Sequence, residues 1–135
     1  ADDSLTVKAI VQELAKYDIW IAHNGAKFDV PFLRTRLLAH RLPPLNTPKL
    51  VDPVQLARNK LRLSYNSLDR IAEHLGCNSK TKVSQKRWLA ATLDGDIAAM
   101  DYIVKHCVED VRTLDQVVGR IKTYAGQLNS WGSAF

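Results

Sequence analysis

The sequence predicts an α/β domain, and two observations carry that expectation. The run Asp18-Ile19-Trp20-Ile21-Ala22 is short, β-branched and aromatic, without polar alternation, as a strand buried on both faces of a mostly parallel sheet would be. Around it, and around a second short run at Lys49-Leu50-Val51-Asp52, apolar residues recur at three- and four-residue spacing, the mark of amphipathic helices. Helix, strand and helix therefore alternate within the first forty residues.

Taken in order, Val7, Ile10, Val11, Leu14 and Tyr17 define a first helix over 5–17, with Asp3 or Ser4 as its cap. It leads into the strand at 18–23, which Asn24-Gly25 breaks. Pro31 suits the first turn of a second helix, where its missing N–H costs nothing, and that helix stops before Pro43-Pro44. The strand at 49–52 ends at Pro53, and helical spacing resumes over 54–61. Ser64-Tyr65-Asn66-Ser67 supplies caps for a helix over 68–75, stopped by Gly76. Residues 77–86 are polar, basic and aperiodic, an exposed loop leading to a short helix around Trp88-Leu89-Ala90. Asp94-Gly95-Asp96 turns the chain into the longest element, whose stripe is Ile97, Met100, Ile103, Val104, Cys107, Val108, Val111, Leu114, Val118 and Ile121. Gly126 ends it, so that residues 1–126 form one domain and 127–135 a loosely held tail.

With 135 residues and 46% hydrophobic content, the chain has enough apolar material for one core. No apolar run approaches the roughly 20 residues a membrane helix needs, and Ala1-Asp2-Asp3-Ser4 lacks the features of a signal peptide. A cytoplasmic location is expected, in which Cys77 and Cys107 stay reduced. The net charge of +5, from 19 Lys and Arg against 14 acids, is gathered at Arg34-Arg36-Arg41, Arg58-Lys60-Arg62 and Lys80-Lys82-Lys86-Arg87. Basic clusters beside clustered acids suit a polyanion, with metals on the acids and phosphates on the cations.

Two acids stand where chemistry could use them. Asp29 lies near a helix N-terminus at the mouth of the sheet, where it is either a rigidly held metal ligand or an N-cap. His106 and Asp110, four apart, project from one face of the long helix, a base beside a carboxylate at the border of the core, or a pair that closes the helix edge. Glu109 and Asp115 fall on other sides, and Asp52, at the second strand end, suits a turn. A zinc site from His74, Cys77, His106 and Cys107 has the right inventory, but His106 and Cys107 point about 100° apart on a helix.

These residues resemble the ribonuclease H-like DEDD exonucleases, the proofreading superfamily, and most closely its bacterial and phage 3′–5′ exonuclease branch. Asn24-Gly25-Ala26-Lys27-Phe28-Asp29 matches the second motif, Asn, three variable residues, Phe, Asp. Tyr65-Asn66-Ser67-Leu68-Asp69 with Ala72-Glu73-His74-Leu75-Gly76 is similar to the middle helix, and His106-Cys107-Val108-Glu109-Asp110-Val111 to the third motif, over a similarity running from about 5 to 122. The resemblance implies a ribonuclease H-like three-layer fold and hydrolysis of DNA or RNA by two Mg²⁺ or Mn²⁺ ions. In that scheme Asp29 and Asp110 are metal ligands and catalytic groups, His106 is the base, and Asn24, Lys27, Phe28, Lys82 and Lys86 hold a single-stranded or 3′-ended nucleic acid. His106 stands four before the Asp, where the Tyr branch has its Tyr; the His branch places its His five before. The first motif, Asp-x-Glu on an opening strand, has no match, and Asp2-Asp3 cannot replace it. The chain is thus expected to lack the first strands of its fold, to be weak or inactive alone, and to expose a sheet edge that invites a homodimer or strand-exchanged assembly. The alternative is a non-catalytic nucleic-acid-binding or assembly module on the same fold.

Overall fold

In the computed structural model, residues 2–46, 48–77 and 82–125 are described. The element order is α1 (Ser4–Leu14), β1 (Ile19–Ile21), α2 (Asp29–Ala39), β2 (Lys49–Val51), α3 (Pro53–Lys60), α4 (Leu68–His74), α5 (Gln85–Leu93) and α6 (Ile97–Ala125). The chain is mostly helical around a two-stranded parallel sheet, compatible with an α/β fold. Strand β1 pairs with β2 in the register Ile19 with Lys49, Trp20 with Leu50 and Ile21 with Val51. Among the described residues no helix is long and apolar enough to cross a membrane. The tail expected over 127–135, and Gly126 before it, lie outside the described residues.

The chain divides into two compact units, one running through Leu63 and taking the last turn of α6, the other Ser64–Arg120. In the first, Trp20, Val30 and Leu50 form a buried cluster, joined by Leu14, Ala22, Ala26 and Leu45. Trp20 brings a ring whose truncation in a core costs about 3–5 kcal/mol, and its indole N–H donates to the Leu14 carbonyl at 3.1 Å, which meets the polar end of a buried ring. The register puts Trp20 and Leu50 on one face and Ile19 and Ile21 on the other, and these isoleucines stay 49% and 47% exposed. The expectation of burial on both faces is corrected: an unbroken apolar run records what a strand could bury, and here one side of β1 is open.

Helix α1 packs against α2. Asp3 precedes α1 but gives it no side-chain cap. Its carboxylate accepts instead from Arg36 Nε at 2.9 Å and from Arg36 Nη2, and lies 2.5 Å from His40 Nε2. The Arg36 hydrogen bond, with that of His40 next, holds the Asp3 carboxyl well below its usual range. Helix α2 closes through Arg41 in the left-handed region at φ 53, with Leu42 N–H returning to the Leu37 carbonyl at 2.9 Å.

In the second unit, Ile71 and Ala72 of α4 are fully buried. Gly76, at φ 65, ends that helix while Cys77 N–H reaches back to the Ala72 carbonyl at 2.8 Å. A small core of Ala91, Ala99 and Ile103, with Val83 and Ala90, joins α5 to α6. Ser84 caps α5 by accepting from Arg87 N–H, and Asp96 caps α6 by accepting from Ala99 N–H at 3.0 Å. The expected helix around Trp88 is thus a nine-residue helix.

Candidate functional site

The segment from Ala22 to Asp29 is shaped by its own backbone hydrogen bonds and by two ties to the end of β2. Ala22 N–H extends the sheet by donating to the Val51 carbonyl at 3.1 Å. Asn24 then takes the left-handed conformation at φ 63, which Asn tolerates better than most residues, and its carbonyl accepts from both Lys27 and Phe28 N–H. Val30 N–H donates to the Gly25 carbonyl at 2.9 Å, bending the chain into α2. A Cβ at Gly25 would come closer to the Ala22 Cβ than real atoms approach, so this tight turn requires glycine there. Asp52 anchors the turn from the end of β2: its Oδ1 accepts from Asn24 N–H at 2.8 Å and from Val54 N–H at 3.1 Å, and the residue is only 2% exposed.

Asp29 emerges from this turn as the first residue of α2, two residues earlier than the helix start expected at Pro31. The N-cap position belongs to Phe28, no side chain caps the helix, and no described residue donates to the exposed Asp29 carboxylate. The capping role is therefore not the one this side chain plays. Phe28 and Phe32 flank it with rings stacked at 6.5 Å and 8°, exposed by 66% and 61%. Lys27 is also exposed. In the sequence Phe32 reads only as part of the spacing of the second helix and not as a site residue, although its i+4 spacing from Phe28 is a visible signal.

On α6 the expected pair is present. His106 Nε2 lies 3.7 Å from Asp110 Oδ1, within ion-pair range but beyond a good hydrogen bond. His106 is 8% exposed, while Asp110 is partly buried. The apolar stripe divides into two lines. Ala99, Ile103, Val117 and Ile121 are buried together with the polar His106 and Thr113, whereas Ile97, Met100, Val104, Val108 and Val111 are exposed. The helix places the His106 side chain inward and leaves Cys107 and Val111 outside.

Asn24, Lys27, Phe28 and Asp29 are thus brought together in the first unit, and His106 with Asp110 in the second, where Lys82 and Lys86 are exposed. Other cations are engaged: Arg36 holds Asp3, and the Arg87 guanidinium sits 3.6 Å over the Tyr102 ring. A cleft of about 300 Å³ beside α2 is lined by Leu37, Leu38, Leu42, Pro44, Leu45 and Arg34; without a carboxylate it offers nothing to a hydrolytic metal. Among the described residues, the group of three or more metal-ligating side chains at binding distance is Asp2, Asp3 and His40, where Arg36 already supplies the cation. His74, Cys77, His106 and Cys107 form no such group, and His106 is buried while Cys107 is exposed on the same helix.

No curated protein matches the chain. The family model for the RNase H superfamily matches residues 1–122, a span that contains both the Asn24 to Asp29 turn and the His106–Asp110 pair, and the chain belongs to that superfamily.

Proposed function

We propose that this chain carries half of the metal site of a divalent-metal-dependent 3′–5′ exonuclease of the DEDD branch. Superfamily membership points to a nuclease-like or nucleic-acid-related function; the exonuclease assignment goes further and rests on the motif residues. The observation that carries it is Asp29, an exposed carboxylate with no partner among the described residues, held on a turn whose Asn24, Gly25, Lys27, Phe28 and Val30 N–H groups are all hydrogen-bonded. A carboxylate fixed in this way and open to solvent is free to take a cation as a ligand.

Asp29 and Asp110 would hold Mg²⁺ or Mn²⁺, two ions in the complete site, with the remaining carboxylates coming from outside the described residues of a three-layer ribonuclease H-like arrangement. The ions supply activation of the attacking water and neutralisation of charge on the leaving oxygen. His106 accepts the water's proton, its ring kept beside Asp110 by their helical spacing. Asn24, Lys27 and Phe28, with Lys82 and Lys86, hold the strand. Stacked, exposed Phe28 and Phe32 rings suit unpaired bases, which stack without regard to sequence. The site would work in the cytoplasm on DNA or RNA with a free 3′ end.

The test is cleavage of 5′-labelled single-stranded DNA, and of the matching RNA, with Mg²⁺ or Mn²⁺. Little or no cleavage by this chain alone is expected, and, when the Asp-x-Glu segment is supplied, a ladder shortening from the 3′ end that is lost in Asp29→Asn and in Asp110→Asn. Cleavage that survives both substitutions overturns the reading. Salt-dependent binding without cleavage would instead establish a non-catalytic binding module.

A further inference from the structure

We infer that Asp52 is a positioning residue for Asp29, acting through the backbone of the turn between them; the inference rests on the reading of Asp29 as a metal ligand. Asp52 is a buried carboxylate, and burying such a charge is costly unless its bonds do something that an apolar residue could not. One oxygen does two jobs. Oδ1 caps α3 through Val54 N–H and also accepts from Asn24 N–H, 28 residues upstream. The first bond needs only a capping side chain, and Ser or Asn would serve as well. The second is what demands this reach and this depth. Asn24 is the node from which the turn is built, since its carbonyl receives Lys27 and Phe28 N–H and its left-handed φ sets the reversal. Pinning its N–H to the end of β2 fixes the start of α2, where Asp29 sits as first residue. Among the described residues none hydrogen-bonds the Asp29 carboxylate to orient it, so its direction is inherited from this pin.

Two substitutions separate the roles. Asp52→Ser keeps a cap for α3 but is too short to reach Asn24. Asp52→Asn keeps Oδ1 as acceptor for both N–H groups, removes the charge and puts an amide NH₂ in place of the buried Oδ2. The full ¹⁵N-labelled chain is followed by amide exchange and by Mn²⁺-induced broadening of amides 28–30. In Asp52→Ser, exchange of the Asn24 amide is expected to quicken by about tenfold, the loss of one hydrogen bond to a charged acceptor. The Mn²⁺ concentration needed for broadening rises by about tenfold or more, as when the support of a ligand is removed. Asp52→Asn should stay within about threefold of wild type on both, a rescue that a merely structural charge would not give.

Wild-type behaviour in Asp52→Ser, or equal damage in both variants, overturns the inference. Should Asp52→Ser lose its fold by circular dichroism, Asp52→Asn decides alone: retained exchange and Mn²⁺ response support the acceptor role, and a tenfold loss in either overturns it. If Mn²⁺ broadens none of these amides in wild type, the metal reading of Asp29 has failed. Asn24 exchange then still decides whether Asp52 holds the turn.

Discussion

Asp29 and Asp110 are presented by opposite means. Asp110 is fixed by helical geometry: it lies mid-helix in α6, one turn from His106, and its position follows from the local backbone alone. Asp29 stands on a turn held by a strand end, a glycine with no room for a Cβ, and a buried carboxylate 28 residues away. One of the two proposed ligands is therefore placed by its own helix, and the other depends on residues distant in sequence. That contrast can be tested by substitutions at the two members and at their supports.

The largest effect is expected at the carboxylates themselves. With the Asp-x-Glu segment supplied, Asp29→Asn and Asp110→Asn should each lower cleavage by about 100-fold or more, the scale of losing several kcal/mol of transition-state charge stabilisation. Since Asp29 has no partner among the described residues, its variant should melt at the wild-type temperature, so a large fall in Tm would show that it has a structural role as well. Next in size is Gly25→Ala, which forces a methyl into the Ala22 side chain. A cost of about 1–3 kcal/mol is expected, as for overpacked sites. Denaturant midpoints measure it, and a midpoint equal to that of wild type would show that the turn accommodates a Cβ after all.

A smaller, pH-dependent effect belongs to the Asp3 clamp. Its folded carboxyl titrates below the ordinary 3.8 because Arg36 and His40 bond to it, so its stabilisation is fully present above that value and is lost as pH falls below it. The stability gap between wild type and Asp3→Asn, by chemical denaturation, should thus be constant towards neutral pH and shrink progressively below pH 3.8. Smallest is the contribution of the exposed lysines. Lys82→Ala or Lys86→Ala should each reduce the salt slope of single-strand binding by about 0.7, with little sequence dependence. An unchanged slope would take these lysines out of the nucleic-acid path.

How far the sequence disclosed these features follows from how local their causes are. The α6 pair and the two strands were legible because spacing and β-branched runs act over a few residues. So was the bend at Asn24-Gly25, although Pro31 suggested a helix start two residues too late, since proline suits any position in the first turn. Asp3 looked like a cap because its partners, Arg36 and His40, lie 33 and 37 residues downstream. Asp52 looked like a turn former for the same reason: its capping role shows in the Asp-Pro pair, whereas its bond to Asn24 depends on the strand pairing. The division of the α6 stripe was also hidden, because periodicity reports which residues could be covered and the covering is a tertiary matter.

The two cysteines of α4's end and α6 supply a clock. Cys107 is exposed and Cys77 buried, neither in a disulfide. A thiol-reactive dye added to the native protein should label one equivalent at once, and the second only when the packing around Cys77 opens. The lag between the two phases times the breathing of the Ser64–Arg120 unit without any engineered probe.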